Sequence, residues 1–334
     1  MMTTLAIIIV SWNVRDLLRR CLRATEASLA DSGIAYAIIV VDNASSDGTP
    51  DMLRAEFPRV KLLQPGRNLG FAGGNNLALR ALGFSAQQQS LESGTDGLPQ
   101  FVLLLNPDTE PIDAALPRLL DYLAAHPEIV AVGPQLRYPD DSVQSSRRRF
   151  PAQLTFFWES TPLERFWSAN PWARRYHCAD QSDAQIQTVD WLVGAALLVR
   201  GAAIARAGLL DEQFFMYSEE LEWQYRLQQP GKERTRHSSA SIVYLPDAVV
   251  IHHEGKSSEQ VLTARHLNFQ RSKLRLAYLW FGPFFALALR LFLLLCYLWE
   301  LGSEGAKLLL GHRRSLRRQR IGVYAAVLRS GLKD

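Results

Sequence analysis

The residues of this chain that could do chemistry gather in five short runs, each at the end of an apolar segment or the start of a helical one. Val40-Val41-Asp42-Asn43-Ala44-Ser45-Ser46-Asp47-Gly48 sets an acid directly after an apolar stretch. Such an acid can accept hydrogen bonds from a pyrimidine base or a ribose hydroxyl, and the turn behind it exposes backbone donors. A plain strand-to-helix turn with Asp47 as the cap has the same composition. Arg67-Asn68-Leu69-Gly70-Phe71-Ala72-Gly73-Gly74-Asn75-Asn76 puts glycines at a helix start, where backbone can approach a phosphate; close helix packing calls for the same glycines. Leu105-Asn106-Pro107-Asp108-Thr109 holds a carboxylate suited to a hard divalent cation that neutralises a diphosphate, or else to capping a helix that begins near Asp113. Phe214-Phe215-Met216-Tyr217-Ser218-Glu219-Glu220-Leu221-Glu222 crowds carboxylates into the first turn of a helix. Acids there stabilise the helix by about 0.3–1 kcal/mol each, but clustered at a cleft they raise one another's pKa and can supply a general base. Ile251-His252-His253-Glu254-Gly255-Lys256-Ser257 offers a metal-ligand candidate at a strand end.

The segments that must position these runs alternate in period. Residues 5–10, with three isoleucines, read as a strand buried on both faces, followed by the dipolar Ser11-Trp12-Asn13. Helical spacing follows at 14–30, a strand at 36–41, a helix at 48–57, a strand at 60–64, a helix at 70–82 and a strand at 101–105. That alternation predicts an α/β fold with a mostly parallel central sheet flanked by helices, and ligands beyond the carboxyl ends of its strands. The glycine run is not G-x-G-x-x-G and follows a third strand, which disfavours a dinucleotide fold. Residues 85–100 read as an exposed loop. A helix is expected at 113–126, a short strand at 129–132, an irregular aromatic stretch with Arg147-Arg148-Arg149 at 144–187, and regular structure again at 191–200 and 242–251.

The chain has 334 residues, 48% of them hydrophobic, enough for a large core. Its 37 Lys and Arg nearly balance 33 Asp and Glu, which argues against nucleic acid as a partner. Cys21, Cys178 and Cys296 are scattered, as for reduced thiols in the cytoplasm, and the N-terminus lacks the basic and cleavage regions of a signal peptide. Two apolar runs, 277–289 and 291–299, flank Arg290 and contain Gly282-Pro283. Each is shorter than the roughly 20 residues a spanning helix needs. Joined, they would hold Arg290 mid-span at a cost of about 2.5–3.5 kcal/mol. An interfacial or re-entrant helical segment is expected, with Arg313, Arg314, Arg317, Arg318 and Arg320 facing anionic headgroups. A buried helix pair with a solvated basic tail is the alternative.

In order and spacing, N-A-S-S-D-G, N-x-G-F-A-x-x-N-N, N-P-D, V-D-W-L-V-G-A, G-x-x-D-E-x-F-F-M-Y-x-E-E and H-x-x-G-x-S resemble glycosyltransferase family 2, in particular its rhamnosyltransferase-like branch. The resemblance covers residues 5 to about 258. It implies the GT-A fold and a single inverting displacement on a nucleotide-sugar donor. It assigns Asp42 to the donor's base and Asn68 to the nucleotide's side. Ser11, Asn13, Asn43, Gly70, Asn75 and Asn106 join them in donor binding, and Trp191 and Gly194 line the cleft. Asp108 matches the last acid of a D-x-D metal motif whose first position is Asn106 here, and His252 joins it as a ligand of a divalent metal, Mg2+ or Mn2+. Glu220 matches the catalytic base, normally an aspartate, so Glu219 is held as the substitute.

Three parts are expected: residues 1–110 as the nucleotide-sugar half, 111–258 as the acceptor and catalytic half, and 259–334 as a C-terminal helical extension that associates with membrane. The expected partners are a nucleotide sugar, with dTDP-rhamnose first and a UDP-sugar second, and a saccharide or polyprenyl-linked acceptor in bacterial cell-surface polysaccharide synthesis. The stretch 147–176 is a candidate acceptor flap, and the protein is expected in the cytoplasm, peripheral on the inner membrane. Competing readings are a nucleotidyltransferase, which lacks its early basic Gly-rich loop here, and an inactive nucleotide-sugar binder, suggested by Asn106 and Glu220.

Overall fold

Alternate side chains of the first strand serve two different cores, which is why its sequence is apolar without interruption. Leu5, Ile7 and Ile9 pack on one face, Ala6 and Ile8 on the other. A computed structural model describes residues 4–85, 97–229, 240–254, 262–311 and 313–333. Most of the expected loop at 85–100, and Gly255, Lys256 and Ser257, lie outside these residues. The elements run β1 (Leu5–Ser11), α1 (Arg15–Leu29), β2 (Tyr36–Asp42), α2 (Thr49–Glu56), β3 (Lys61–Leu63), α3 (Gly70–Ala81), β4 (Phe101–Leu105), β5 (Thr109–Pro111), α4 (Ala115–Ala125) and β6 (Ile129–Arg137). There follow β7 (Val143–Gln144), β8 (Arg147–Arg148), α5 (Gln153–Trp158), α6 (Leu163–Phe166), α7 (Pro171–Tyr176), β9 (Gln187–Val189), β10 (Trp191–Leu192), β11 (Ala196–Arg200), α8 (Gly201–Ala207) and α9 (Glu219–Gln228). The chain ends with β12 (Ser241–His252), α10 (Leu262–Leu309) and α11 (Arg314–Ser330).

The main sheet has the order β3-β2-β1-β4-β11-β6-β12-β5. Strands β3, β2, β1 and β4 are parallel, as are β6 and β12, while β11 runs antiparallel between β4 and β6. The chain leaves β1 in one direction to build β2 and β3, then returns to its other side for β4. That reversal opens a crevice at the carboxyl ends of β1 and β4, where open α/β sheets bind ligands. Helices α1, α2 and α4 supply the core on one face, with Leu22, Leu53 and Leu119. Helices α3, α8 and α9 supply the other, with Leu79, Ile204 and Trp223. The α/β sheet flanked by helices and the C-terminal helical extension agree with expectation.

By internal contact the chain falls into two units: Met1–Phe150, His177–Phe215 and Glu219–Ser257 in the first, and Pro151–Tyr176, Met216–Ser218 and Ser258–Asp334 in the second. The second unit is helical. Its α10 bends at Gly282, where φ is +87°, and Pro283 cannot donate a helical hydrogen bond. The break therefore falls at Gly-Pro and not at Arg290, which stays helical and donates from Nε to the Gly331 carbonyl at 2.7 Å. This satisfies a carbonyl at the end of α11 and gives the guanidinium an acceptor. The basic cluster is also divided. Arg317 is buried and donates to Glu304 Oε2 at 2.6 Å, so it does not face headgroups as expected. Phe284, Leu287, Leu291, Leu295 and Leu298 form an exposed apolar stripe along α10, Phe284 being 88% exposed.

Candidate active site

Register places Ser11 opposite Asp42 at the ends of β1 and β2. Both are buried. Asp42 Oδ2 accepts the Ser45 N–H at 3.2 Å, whereas Asp42 Oδ1 and Ser11 Oγ have no hydrogen-bond partner among the described residues. A buried polar atom left unpaired costs about 1–3 kcal/mol, so two on adjacent strands make this strand-end pair a candidate contact for a ligand's polar groups. Asn13 adopts a left-handed backbone, φ +52°, donates its N–H to Ser45 Oγ at 2.9 Å and accepts the Ser46 N–H at 2.8 Å. It fixes the turn after β2.

The start of α3 hangs on that turn. Asn43 Nδ2 donates to the Gly70 carbonyl at 3.1 Å, and its Oδ1 accepts the Leu69 N–H at 3.3 Å. Asn68 Oδ1 accepts the Gly70 N–H at 2.9 Å, and the Phe215 carbonyl accepts the Phe71 N–H at 2.9 Å. These amides are engaged within the chain, and the glycines serve close packing. Gly70 has φ +73° and a Cβ there would lie 2.1 Å from the Phe215 carbonyl; one on Gly74 would meet Val10 at 2.7 Å. Asn75 is likewise spent inside the helix, donating to the Phe71 carbonyl at 2.9 Å.

At the end of β4, the Asn106 N–H donates to the Ala195 carbonyl at 2.8 Å and Thr109 Oγ1 to the Asn106 carbonyl at 2.7 Å, fixing the turn that carries Asp108. Asp108 is 5% exposed, and its Oδ1 lies 3.4 Å from His252 Nε2 at the end of β12. Gln144 orients that ring. Its Nε2 donates to Glu254 Oε2 at 2.8 Å, so its Oε1 faces His252 Nδ1 at 2.9 Å, and Nδ1 carries the hydrogen. The other ring nitrogen, Nε2, is thereby aimed at the Asp108 carboxylate, so the two side chains present ligand atoms that can share one cation. His253 instead turns its Nε2 to Glu110 Oε1 at 2.7 Å. Asp108 and His252 fit a divalent ion as a pair. Among the described residues no group of three such side chains exists; a hard divalent ion held by so few protein ligands completes its shell with substrate oxygens and water.

The acid cluster opens α9 after left-handed Tyr217 and Ser218, φ +75° and +66°. Its three acids differ in setting. Glu222 is bound by Arg226 Nε at 2.7 Å. Glu219 is 3% exposed, its Oε2 has no partner, and burial, aided by the charge of Glu220, pushes its carboxyl well above the usual range. Glu220 is half-buried and lies against Gly194, where a Cβ would come within 3.3 Å of its Cβ and Cγ and 3.8 Å of the Phe71 ring. Gln224 staples the helix to β10, donating to the Leu192 carbonyl at 2.8 Å and accepting the Leu192 N–H at 2.9 Å. The expected residues therefore form one chain of contacts, from Asp42 and Asn43 through Gly70 and Phe71 to Gly194 and Glu220, and from Ala195 through Asn106 to Asp108 and His252. Trp191 stands apart: it is buried and donates its indole N–H to the Arg149 carbonyl at 3.2 Å.

Residues 6–182 match the family described as Glycosyl transferase family 2. The chain belongs to that family. This family 2 glycosyltransferase is 32% identical to N-acetylglucosaminyl-diphospho-decaprenol L-rhamnosyltransferase of Mycobacterium tuberculosis over 222 residues, 66% of this chain and 68% of that one. A mannosyltransferase from Pyrobaculum calidifontis, solved with GDP-Man and Mn2+, has a TM-score of 0.50 at 14% identity, covering 97% of this chain and 85% of its own. GalNAc-T7, solved with UDP, GalNAc and Mn2+, has a TM-score of 0.52 at 13% identity, covering 84% of this chain and 48% of its own. The fold of the glycosyltransferase is GT-A.

Two contacts of the glycosyltransferase have no signal in its sequence. Gln144, which orients His252, lies 108 positions away in an irregular stretch. Arg147, read with its neighbours as part of an acceptor flap, is buried and binds Asp183, Gln187 Oε1 and the Gln181 and Ser182 carbonyls.

Proposed function

We propose that the protein is an inverting, metal-dependent glycosyltransferase that moves rhamnose from dTDP-rhamnose to a hydroxyl of a polyprenyl-linked saccharide at the cytoplasmic face of the membrane, in cell-surface polysaccharide synthesis. Residues 1–110 hold the nucleotide and 111–258 the acceptor. The half-buried carboxylate of Glu220 carries the reading: it shares a cleft wall, Gly194, with the strand pair that holds Asp108. Glu220 takes the proton of the acceptor hydroxyl as that oxygen bonds to the anomeric carbon and the bond from that carbon to the diphosphate oxygen breaks. One attack from the face opposite the leaving group inverts the centre. Asp42 Oδ1 and Ser11 Oγ receive the polar edge of the base or ribose, and Asp108 and His252 hold the divalent ion, Mg2+ or Mn2+, which when bound neutralises the diphosphate. The rhamnosyl and lipid-linked assignments draw on the mycobacterial relative, whose name specifies both.

A thermal-shift panel of nucleotide sugars with Mg2+ or Mn2+ tests it. A donor at a hundred times its Kd adds about 2.7 kcal/mol of stability. dTDP-rhamnose should shift Tm most, only with metal, and Asp108→Asn should abolish the shift while the apo protein melts normally. His252→Ala should weaken the shift and His253→Ala should leave it nearly intact. A larger shift with a UDP-sugar would replace the donor, and donor binding without transfer or hydrolysis would make the protein a binder.

A further inference from the structure

The helical unit contains a cavity of about 370 Å³, in the range of small-molecule sites, roughly 300–1,000 Å³. Residues of α6, α10 and α11 and the loop before α6 line it. Its polar groups are arranged and specific. Glu300, buried, holds its carboxylate 2.8 Å from Arg165 Nη1, which neutralises it. Gln270 is 5% exposed; its Nε2 donates to the Tyr297 hydroxyl at 3.2 Å, while its Oε1 has no partner among the described residues. The Tyr297 hydroxyl also lies 3.1 Å from His266 Nδ1. Burial holds His266 below its ordinary pKa and so neutral, and raises Tyr297 to about 12. Having accepted from Gln270, the phenol gives its hydrogen to Nδ1, which leaves His266 Nε2–H as a donor. The rings of His266, Tyr297 and Tyr324 meet edge to face, with centroids 5.7–6.2 Å apart.

These groups choose among ligand classes. A phosphate or diphosphate needs surplus positive charge, but Arg165 is neutralised by Glu300, and Glu164 also lines the cavity. A purely aliphatic ligand would leave the buried Gln270 amide oxygen unpaired. A neutral polyhydroxylated ring suits both sets: its hydroxyls donate to the carboxylate and amide oxygens, and its C–H face lies on an aromatic ring. We propose that this cavity binds a neutral saccharide, with Glu300 and Gln270 bonding its hydroxyls and Tyr324 covering a ring face. The lining alone carries this assignment, so its failure and that of the transferase reading are separable.

The test uses the full-length protein with N-acetylglucosamine and, separately, L-rhamnose, observed by saturation-transfer difference NMR. Transfer to the ring protons is expected. Gln270→Leu and Glu300→Gln should each weaken binding tenfold or more, Tyr324→Leu should do the same, and Asp108→Asn should change nothing. Because Glu300→Gln disrupts a buried pair and can unfold the helices, Gln270→Leu and Tyr324→Leu, checked by circular dichroism and Tm, carry the comparison. Absence of transfer from both sugars overturns the proposal, as does unchanged binding in folded Gln270→Leu and Tyr324→Leu. Loss of binding in Asp108→Asn would put the sugar in the transferase cleft instead, and diphosphate bound at this cavity would make it an anion site.

Discussion

Glu219 and Glu220 share a backbone turn but not an environment: the first is enclosed with an oxygen unpartnered, the second is half-buried against Gly194. Glu219's raised pKa has a thermodynamic sign. Below its unfolded value near 4.5 the carboxyl is protonated whether the chain is folded or not. As pH rises, the unfolded chain releases the proton first, so stability falls up to the folded pKa. Glu219→Gln, which has nothing to ionise, should therefore raise Tm over wild type at neutral pH, and the gain should vanish as pH falls through 4.5; a gain independent of pH would mean that packing, not ionisation, is at work. Glu220→Gln keeps shape and removes basicity. Turnover should drop about 10²–10⁴-fold with donor binding retained. If turnover is near normal, the base lies elsewhere, and improved activity in Glu220→Asp would show a cleft built for the shorter acid.

At the scale of elements, α3 is the most constrained. Its first residue needs a left-handed backbone and no Cβ, because the Phe215 carbonyl docks on it. Gly70→Ala should cost about 1–3 kcal/mol for the backbone alone, with the clash adding to it. The variant should melt earlier and bind donor poorly, and a wild-type Tm would refute the docking. Such elements were partly legible in sequence. Strand β4 occupies 101–105 as expected, because a run buried on both faces carries a continuous apolar signal, and β12 lies within a residue of its reading at each end although exposed Asp247 interrupts it. Strand β6 runs five residues past its expected end, to Arg137, because polar Gln135 is buried there by bonds to Tyr244 Oη and the Asp183 carbonyl. Helices α5, α6 and α7 have four to six residues each, too short for a helical period to register. In the site, acids at strand ends could be read from position. The inward turn of Arg147, the partnership of Gln144 with His252 and the division of labour among the acids depend on distant contacts.

Across the whole molecule, the candidate site residues lie in the first unit, while the second presents an apolar surface. By length and composition α10 could cross a membrane, and only 11% of its most apolar window is buried in the chain. The stripe of Leu291, Leu295 and Leu298 is free of charge, Arg290 being turned to Gly331. Attachment should therefore rest on aliphatic insertion, with exposed Arg313, Arg314 and Arg318 adding a salt-sensitive attraction. Replacing the three leucines with serine should abolish binding to anionic vesicles with little change in Tm, because these side chains are already more than half exposed. Changing the three arginines to glutamine should weaken binding chiefly at low salt. Indifference of the wild type to such vesicles at low salt would reject attachment.

The hydrogen bond from Asn106 to the Ala195 carbonyl has a further consequence. Leu105 pairs with Ala196, so Asp108 and Gly194 project from one antiparallel ladder, and their separation is counted in rungs. No loop length enters that count. The α5–α7 part of the segment between β8 and β9 supplies none of those rungs, so a change in its length should leave the spacing of Asp108 and Gly194 as it is. The ladder is the gauge, and the helices outside it are not part of the measure.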